Sequence, residues 1–406
     1  MANVIKRLFT WARPLKEGVY HYRSGGTLEG HRVHLRIESN GSGFLIIDAD
    51  KILYLNQTAA EIIKGFLDGK SDEEIIKGMT ERYRVKKDMV SEDLDTLKHT
   101  VKRFAEATDI DPVTYLTDKD ISMFTTGFSA PHRMDLLLTY NNSNIYRSFC
   151  FKHPEEVKTI NLEQWKRIIE ILWNVGVPHI LFAGGEPTSF ENFVELVQFA
   201  EEVGIVTGLL TNGEKLENMK YTDSLVEAGL DHLQITIESH RKEIHNTLVG
   251  ETTWERTVRG LGNALATPLY CVAHTTFTKK NRDDIPGFIS FLKEKGVYAF
   301  AGDALKEGRI IKETELSLTE DEIREVIEKI VEATVKNEIA FVWYGEENIK
   351  GNSKTSGVWE YNMCIEPNGD VTPCECEYRS FGNILKEEWS TVWKNAIRYN
   401  KEMLKS

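Results

Sequence analysis

The chain has 406 residues, of which 41% are hydrophobic and 28% are charged, and its formal net charge is −13. This length can form two or three domains, each with its own hydrophobic core. The acidic excess argues against nucleic-acid binding, which requires a basic surface. No apolar run reaches the roughly 18 residues of a membrane span, and the N-terminus lacks the apolar core of a signal peptide. We therefore expect a cytoplasmic protein that has no membrane segment.

The first region, about residues 17–108, has the pattern of a small winged-helix domain. Alternating segments predict three strands, at residues 32–38, 43–48 and 51–55. Asn56 is placed to cap a first helix, and Ser71-Asp-Glu-Glu74 is a capping box that opens a second. A third helix is predicted from about Val90 to Ala105.

Two phrases in this region carry a family resemblance. Tyr54-Leu-Asn-Gln-Thr-Ala-Ala-Glu-Ile-Ile63 followed by Leu67-Asp-Gly-Lys-Ser-Asp-Glu-Glu-Ile-Ile76 resembles the PqqD-like peptide chaperones. The resemblance implies a domain at residues 1–108 that holds a leader peptide as an additional strand of its sheet. The alternative is that this domain only packs against the rest of the chain. Residues 109–132 contain two prolines and are predicted to be a linker.

From Met134 onward strands and helices alternate. Strands are expected near residues 134–139, 179–183, 206–210, 232–237, 269–277, 297–302 and 339–344. Helices are expected near residues 161–175, 190–203, 221–229, 253–265, 284–295 and 319–336. Such alternation predicts an α/β fold with parallel strands and right-handed crossovers, hence a partial barrel. Polar motifs follow several of these strands, at the end where barrel enzymes carry their chemistry.

Two of these motifs together resemble the radical S-adenosylmethionine (SAM) superfamily. Ser143, Arg147 and Cys150 occupy the spacing Cys-x3-Cys-x2-Cys, and Gly184-Gly185-Glu186-Pro187 closes the next strand. The resemblance implies a partial (β/α)6 barrel over residues 133–345. It also implies that the Gly184–Pro187 loop binds SAM. Residues 233–239 resemble a family strand that ends in Ser-Leu-Asp-Gly, and this adds Thr236 and Glu238 to the cofactor-binding candidates.

The cluster-ligand positions depart from the family pattern. In the family, three thiolates hold a [4Fe-4S] cluster whose open iron chelates SAM. Ser143 could ligate iron only weakly as an alkoxide, and Arg147 has no lone pair to give. Cys150 remains as a metal ligand, or it is simply a small buried apolar residue. We therefore expect no conventional three-cysteine cluster. Val249 is a second departure, since an arginine is common at its position.

Three of the five cysteines lie within residues 364–376. Residues 346–406 resemble the SPASM/twitch extension of radical SAM maturases, and Pro367-Asn-Gly-Asp370 predicts a hairpin turn that brings Cys364 near Cys374. Cys364, Cys374 and Cys376 could hold an auxiliary iron–sulfur cluster or zinc. The alternative is that they are free structural thiols.

Two functions follow from these resemblances. In the first, the chain is a radical-SAM-like scaffold in the maturation of a ribosomal peptide or a peptide-derived cofactor, binding a peptide and a partner protein without conventional SAM cleavage. In the second, it is an active peptide-modifying maturase that uses an unconventional or auxiliary cluster. The replacement of two cluster cysteines and Val249 favour the first hypothesis.

Overall fold

The computed structural model describes residues 13–23, 28, 30–48, 51–106, 129–141, 158–305, 315–344, 362–373 and 379–403. The chain forms two compact units. The first, here the N-terminal unit, comprises residues 1–132 and 172–178, and the second, the barrel unit, comprises residues 133–171 and 179–406.

The sheet of the N-terminal unit is an antiparallel meander. Its strands lie side by side in chain order: β1 (Gly18–Arg23), β2 (Arg32–Ile37), β3 (Gly43–Ile47) and β4 (Lys51–Leu55). The expectation of three strands was wrong, because β1 precedes the predicted set. Its signal in the sequence is weak, since only Tyr20 and Tyr22 of β1 pack against the core.

Three helices follow this sheet and cover one of its faces. They are α1 (Gln57–Leu67), α2 (Asp72–Arg82) and α3 (Lys87–Glu106). Both predicted caps are confirmed: Asn56 accepts from the Ala59 backbone, and Ser71 forms a reciprocal capping box with Glu74. The core between the sheet and the helices includes Leu35, Leu45, Ala60, Ile63 and Val101.

The other face of this sheet packs on residues 172–178. His21 of β1 stacks on Trp173, with ring centroids 3.5 Å apart. Arg36 is buried beside Glu38, and its guanidinium donates a hydrogen bond to the Ala130 carbonyl. This face is therefore also largely covered at the β1–β2 side of the sheet.

The barrel unit contains seven parallel strands that lie side by side in chain order. They are β5 (Arg133–Thr139), β6 (His179–Gly184), β7 (Val206–Thr211), β8 (His232–Thr236), β9 (Tyr270–Phe277), β10 (Ala299–Ala304) and β11 (Ala340–Trp343). All seven predicted strands are confirmed. Strict chain order with parallel pairing is the topology expected of a partial barrel.

Helices connect these strands close to the predicted positions. They are α4 (Leu162–Val175), α5 (Phe193–Val203), α6 (Met219–Glu227), α7 (Lys242–Val249), α8 (Trp254–Leu265), α9 (Ile285–Glu294) and α10 (Glu320–Asn337). Only α7 was not predicted. It is short, and within it only His245 and Leu248 are buried. Within the described residues, no helix is both long and apolar enough to cross a membrane.

The predicted C-terminal hairpin extends the barrel sheet on its other side. β12 (Asn362–Ile365) lies parallel to β5, and β13 (Val371–Thr372) pairs with β12 in the antiparallel sense. Gly369 has a φ of 87°, a left-handed conformation that glycine adopts without strain in a tight turn. A last helix, α11 (Trp389–Met403), follows.

Candidate active site in the barrel unit

The Gly184–Pro187 loop is held against the end of the neighbouring strand. The Gly185 backbone donates to the Thr139 carbonyl, and the Glu186 backbone donates to the Asn141 carbonyl at 2.9 Å. A Cβ atom at Gly185 would overlap with the Asn141 carbonyl oxygen. Sequence reasoning assigned these glycines to close approach of a ligand. In the structure their small size also admits the backbone of residues 139–141.

The Glu186 carboxylate is buried and fully hydrogen-bonded within the protein. One oxygen accepts from the Thr188 backbone at 3.0 Å, the Thr188 hydroxyl at 2.6 Å and the Thr211 hydroxyl at 2.8 Å. The other oxygen accepts from the Asn212 backbone at 2.8 Å. Burial raises the pKa of Glu186 above its ordinary value, against the lowering effect of these hydrogen bonds. The side chain thus joins the ends of β6 and β7.

Glu238 lies just beyond the end of β8 and differs from Glu186 in its partners. It is 1% exposed, and its Oε2 accepts from the Thr276 backbone at 3.1 Å. Among the described residues its Oε1 has no hydrogen-bond partner. Burial and the nearby Asp303 carboxylate raise the pKa of Glu238 to about 8. Glu238 is therefore largely protonated near neutral pH.

The backbone around Glu238 is fixed by two side chains. Its N–H donates to His245 Nδ1 at 3.1 Å, so the proton of this imidazole sits on Nε2, which lies 3.1 Å from the Thr253 hydroxyl. Burial lowers the pKa of His245 to about 4, which keeps the ring neutral. The Asn281 amide donates to the Glu238 and Thr276 carbonyls, at 2.9 and 3.0 Å.

Polar side chains also lie near the ends of the strands beside β8. His274 of β9 lies 3.7 Å from an Asp303 oxygen through Nε2 and 3.5 Å from the Thr236 hydroxyl through Nδ1. His274 also stacks on Tyr344, whose hydroxyl donates to the side-chain carbonyl of Gln234 at 3.0 Å. The ends of β8, β9 and β10 thus share one polar wall. Carboxylic acids with a raised pKa in such a setting are typical of functional sites.

Two further polar pairs lie near the other end of the strands. His179 and His232 face each other with their Nε2 atoms 2.8 Å apart. Burial lowers the pKa of both rings, that of His232 to about 4, so one neutral ring donates to the other. Arg133 pairs with Asp135 at 2.9 Å. Within each pair the facing groups bond each other, as buried structural polar groups commonly do.

The C-terminal hairpin contacts Tyr140, which directly follows β5. Tyr140 donates a hydrogen bond from its hydroxyl to Glu366, and the Thr372 hydroxyl donates to the same carboxylate at 3.0 Å. Cys364 is 1% exposed and packs with Leu137, Ala183 and Tyr140. It pairs with Thr372 across the hairpin, as the predicted turn requires.

Several predicted metal ligands lie outside the described residues: Ser143, Arg147, Cys150, Cys374 and Cys376. The proximity of Cys364 to Cys374 therefore stays a prediction. Over the part of the chain that the structure describes, no three His, Cys, Asp or Glu side chains are grouped as a metal site.

Sequence reasoning missed most of the polar wall: Gln234, His274, Asn281, Asp303 and Tyr344. The sequence does indicate part of this wall in and just after β8, where the polar residues Gln234, Thr236 and Glu238 alternate with the apolar residues Leu233, Ile235 and Ile237. Period-two alternation on a strand covered by helices means that the polar side faces the barrel interior. The partners on β9 and β10 depend on strand register, which the sequence does not specify.

Comparison with known families identifies this arrangement. The profile of the radical SAM superfamily matches residues 145–292. Residues 145–292 therefore carry a radical SAM superfamily domain. A second profile, described as an iron–sulfur cluster-binding domain and named SPASM, matches residues 357–405.

Relatives in this superfamily act on different substrates. The PqqA peptide cyclase of Rhizobium meliloti is 25% identical over 284 residues, covering 66% of this chain and 73% of that protein. The GTP 3',8-cyclase of Chlorobaculum tepidum is 31% identical over 157 residues, covering 37% of this chain and 47% of that protein.

Solved structures share the fold over most of the chain. Streptococcus suis SuiB bound to its precursor peptide SuiA has a TM-score of 0.64 and 16% identity, covering 94% of this chain and 88% of that chain. The structure of anSMEcpe with bound AdoMet has a TM-score of 0.54 and 16% identity, covering 66% of this chain and 82% of that chain.

The residues of this chain differ in how well they fit the family's two cofactors, the iron–sulfur cluster and SAM. At the predicted cluster positions, Ser143, Arg147 and Cys150, the side chains offer a hydroxyl, a guanidinium and one thiol, which do not fit a three-thiolate [4Fe-4S] cluster. At the Gly184–Pro187 loop the Glu186 carboxylate is already committed to protein donors. A cofactor there would meet the backbone of the loop rather than this side chain.

Proposed function

We propose that this chain is a peptide-binding radical SAM superfamily protein of a peptide maturation pathway that does not use a conventional SAM-cleaving cluster. The fold and the SPASM region support a link to peptide maturation, since SuiB was solved bound to a precursor peptide and one relative is named PqqA peptide cyclase. The observation that carries the proposal is the donor set at Ser143, Arg147 and Cys150. Arginine stays protonated at any physiological pH and cannot replace a thiolate.

The N-terminal unit supports peptide binding through the edge strand β4. On this strand Tyr54 is 44% exposed and packs edge-to-face on Phe44 of β3. The opposite edge strand, β1, has His21 stacked on Trp173. We therefore assign an added peptide strand to β4, where backbone hydrogen bonds would supply affinity and Tyr54 a side-chain contact.

Anaerobic reconstitution with iron and sulfide tests the cluster. We expect the parent chain and Cys150→Ala to bind the same amount of iron, and we expect neither to form 5′-deoxyadenosine from SAM. Cys364→Ala serves as the matched variant, because any iron at the C-terminal cysteines is lost there alone. Four iron ions that disappear in Cys150→Ala, together with SAM cleavage, would overturn the proposal.

Selection on a displayed library of random peptides tests the binding surface. Peptides that bind the full chain should bind Tyr54→Ala more weakly by about 1–2 kcal/mol, since a half-exposed aromatic side chain contributes about that much. Tyr298→Ala is the control, because Tyr298 is 45% exposed but lies in the barrel unit. Equal loss in both variants, or no enrichment of any peptide, would contradict the β4 assignment.

A second candidate function is an active maturase with an unconventional cluster. The buried Glu238, with its raised pKa beside Asp303, favours it, because such groups are costly to keep unless they bind or react. The same reconstitution separates the two functions. Formation of 5′-deoxyadenosine by a preparation with iron only at Cys364, Cys374 and Cys376 would support this second candidate.

A further inference from the structure

A row of exposed basic side chains runs along α11, the last helix of the barrel unit. Lys394, Arg398 and Lys401 are exposed, and their spacing of four and then three residues places them on one side of the helix. Together with Ile397 and Glu402 they line a surface groove of about 390 Å³. We call Lys394, Arg398 and Lys401 the basic face.

The cations of the basic face are not neutralised by nearby carboxylates. Elsewhere in the barrel unit exposed cations are commonly paired, as Arg256 is with Glu214. Over the described residues, no carboxylate lies within 4.0 Å of a cation of the basic face, and Glu402 pairs instead with Arg379 at 3.8 Å. In a chain with a net charge of −13, this face is therefore suited to an acidic surface.

The helix α10 carries an acidic face of matching length. Glu325, Glu328 and Glu332 are exposed at a spacing of three and then four residues, which again places them on one side of the helix. In the part of the chain that the structure describes, no cation lies within 4.0 Å of these three carboxylates. Val331 and Val335 border this acidic face and are 38% and 75% exposed, so a helix docked there would remove apolar surface from water.

The charges of the two faces come into register when their helices run antiparallel. From Glu325 the next two carboxylates follow after three and seven residues. Backward from Lys401, the next two cations lie three and seven residues earlier. Antiparallel alignment therefore sets three carboxylates opposite three cations, and it also opposes the positive end of each helix dipole to the negative end of the other.

The borders of the two faces favour the same antiparallel arrangement. Ile397 on α11 and the two valines on α10 lie on the same rotational side of their charged faces. Facing antiparallel helices bring such sides together, whereas parallel helices would separate them. The opposite border on each helix carries charge of the other sign: Lys329 and Lys336 on α10, and Glu402 on α11.

We propose that the acidic face of one copy of this chain docks on the basic face of a second copy, with α10 and α11 antiparallel. The contact joins two different surfaces and is therefore heterologous. Because each face is small and exposed, the association is weak and sensitive to salt. The proposal does not depend on the proposed function, since no peptide and no cluster takes part in it.

Sedimentation equilibrium of the full chain tests the proposal. At low ionic strength the average mass should rise above 46.4 kDa with protein concentration, and it should return to 46.4 kDa in about 1 M salt, where the screening length is about 3 Å. The double variants Lys394→Glu/Arg398→Glu and Glu328→Lys/Glu332→Lys should each self-associate more than about tenfold more weakly, because like charges then face each other. An equimolar mixture of the two should associate again, because the intact acidic face of the first variant meets the intact basic face of the second.

Lys220→Glu/Lys280→Glu is the matched control, because both lysines are exposed in the barrel unit and the charge change equals that of the first variant. It should associate like the parent. A parent chain that stays at 46.4 kDa at every concentration overturns the proposal, and so does a mixture that stays monomeric or self-association that survives in either double variant. Binding of a monomeric parent to phosphatidylglycerol vesicles, lost in Lys394→Glu/Arg398→Glu, would assign the basic face to a membrane surface instead.

Discussion

At the scale of single residues, two buried glutamates of one barrel serve different purposes. Glu186 has four hydrogen-bond donors around its carboxylate, whereas Glu238 has one. A fully bonded carboxylate stabilises the connection it makes, and a partly bonded one costs stability that a ligand can recover. Replacement of the carboxylate is therefore expected to affect the stability of the fold differently at the two positions.

Glu186→Gln should destabilise the barrel unit by about 1–3 kcal/mol, the cost of leaving a buried donor without an acceptor. An amide presents N–H groups where either the Thr188 and Thr211 donors or the Asn212 donor now meet an oxygen. Urea unfolding measures the effect. Glu191→Gln, at an exposed carboxylate nearby, should change stability by less than about 0.5 kcal/mol. Equal stability of both variants would contradict the structural role of Glu186.

Glu238→Gln should change how stability depends on pH. The pKa of Glu238 is raised from 4.5 to about 8 in the folded state, so the acid favours folding when it is protonated. That contribution is complete below about pH 4.5 and is lost as the pH rises through about 8, by no more than about 5 kcal/mol. The variant should match the parent near pH 5 and exceed its stability near pH 9. Parallel urea-unfolding profiles across this range would refute the raised pKa.

At the scale of elements, the decisive contact is the one between the ends of β5 and β6. The loop 184–187 lies against the backbone of residues 139–141, directly before the segment that contains Ser143, Arg147 and Cys150. The glycines at this contact therefore serve packing within the barrel as well as any bound cofactor. Their substitution tests the packing role independently of cofactor binding.

Gly185→Ala should destabilise the barrel unit by about 1–3 kcal/mol, because the new methyl group overlaps with backbone atoms that cannot rotate away. Gly262→Ala provides the matched control. Gly262 lies exposed on α8, a Cβ there meets nothing within 4 Å, and alanine should add about 0.5–1 kcal/mol of stability. Unfolding midpoints in urea compare the two variants. A shift of the same sign in both would exclude the predicted overlap.

The sequence predicted the elements of the barrel well and its site only in part. Strand and helix positions follow from local apolar periodicity, which is strong in β5 to β11 and in their connecting helices. Glu238 was predicted from a motif. Asp303 and His274 were not predicted, because only the parallel register of β8, β9 and β10 brings their positions to the same end of the sheet. Likewise, the Tyr140–Glu366 hydrogen bond joins residues that no local pattern relates.

At the scale of the whole molecule, the SPASM region is part of the barrel sheet rather than an appendage to it. β12 occupies the side of β5 that is not paired with β6, and Tyr140 is bonded to Glu366 of the hairpin. Cys364 packs with residues of β5 and β6. The barrel unit therefore includes the hairpin in its hydrophobic interior.

Removal of residues 346–406 should make the remaining chain prone to aggregation. The truncation uncovers the backbone edge of β5, and exposed edges of apolar strands pair with other chains. Tyr140→Phe is the milder comparison, since it removes one hydrogen bond and should cost about 1–2 kcal/mol without loss of solubility. Size-exclusion chromatography and urea unfolding measure both. A truncated chain as soluble and stable as the parent would contradict this account.

The pairing of β12 with β5 also governs how the chain can fold during synthesis. Arg133 pairs with Asn362, so 362 − 133 = 229 residues separate the two partners. At about 5–20 residues per second, the ribosome needs about 10–50 s to deliver the second strand after the first has emerged. Throughout that interval β5 has one open edge, and contacts of such long range are also slow to form. The nascent barrel is thus most exposed to misassociation at β5, the strand that precedes Ser143, Arg147 and Cys150.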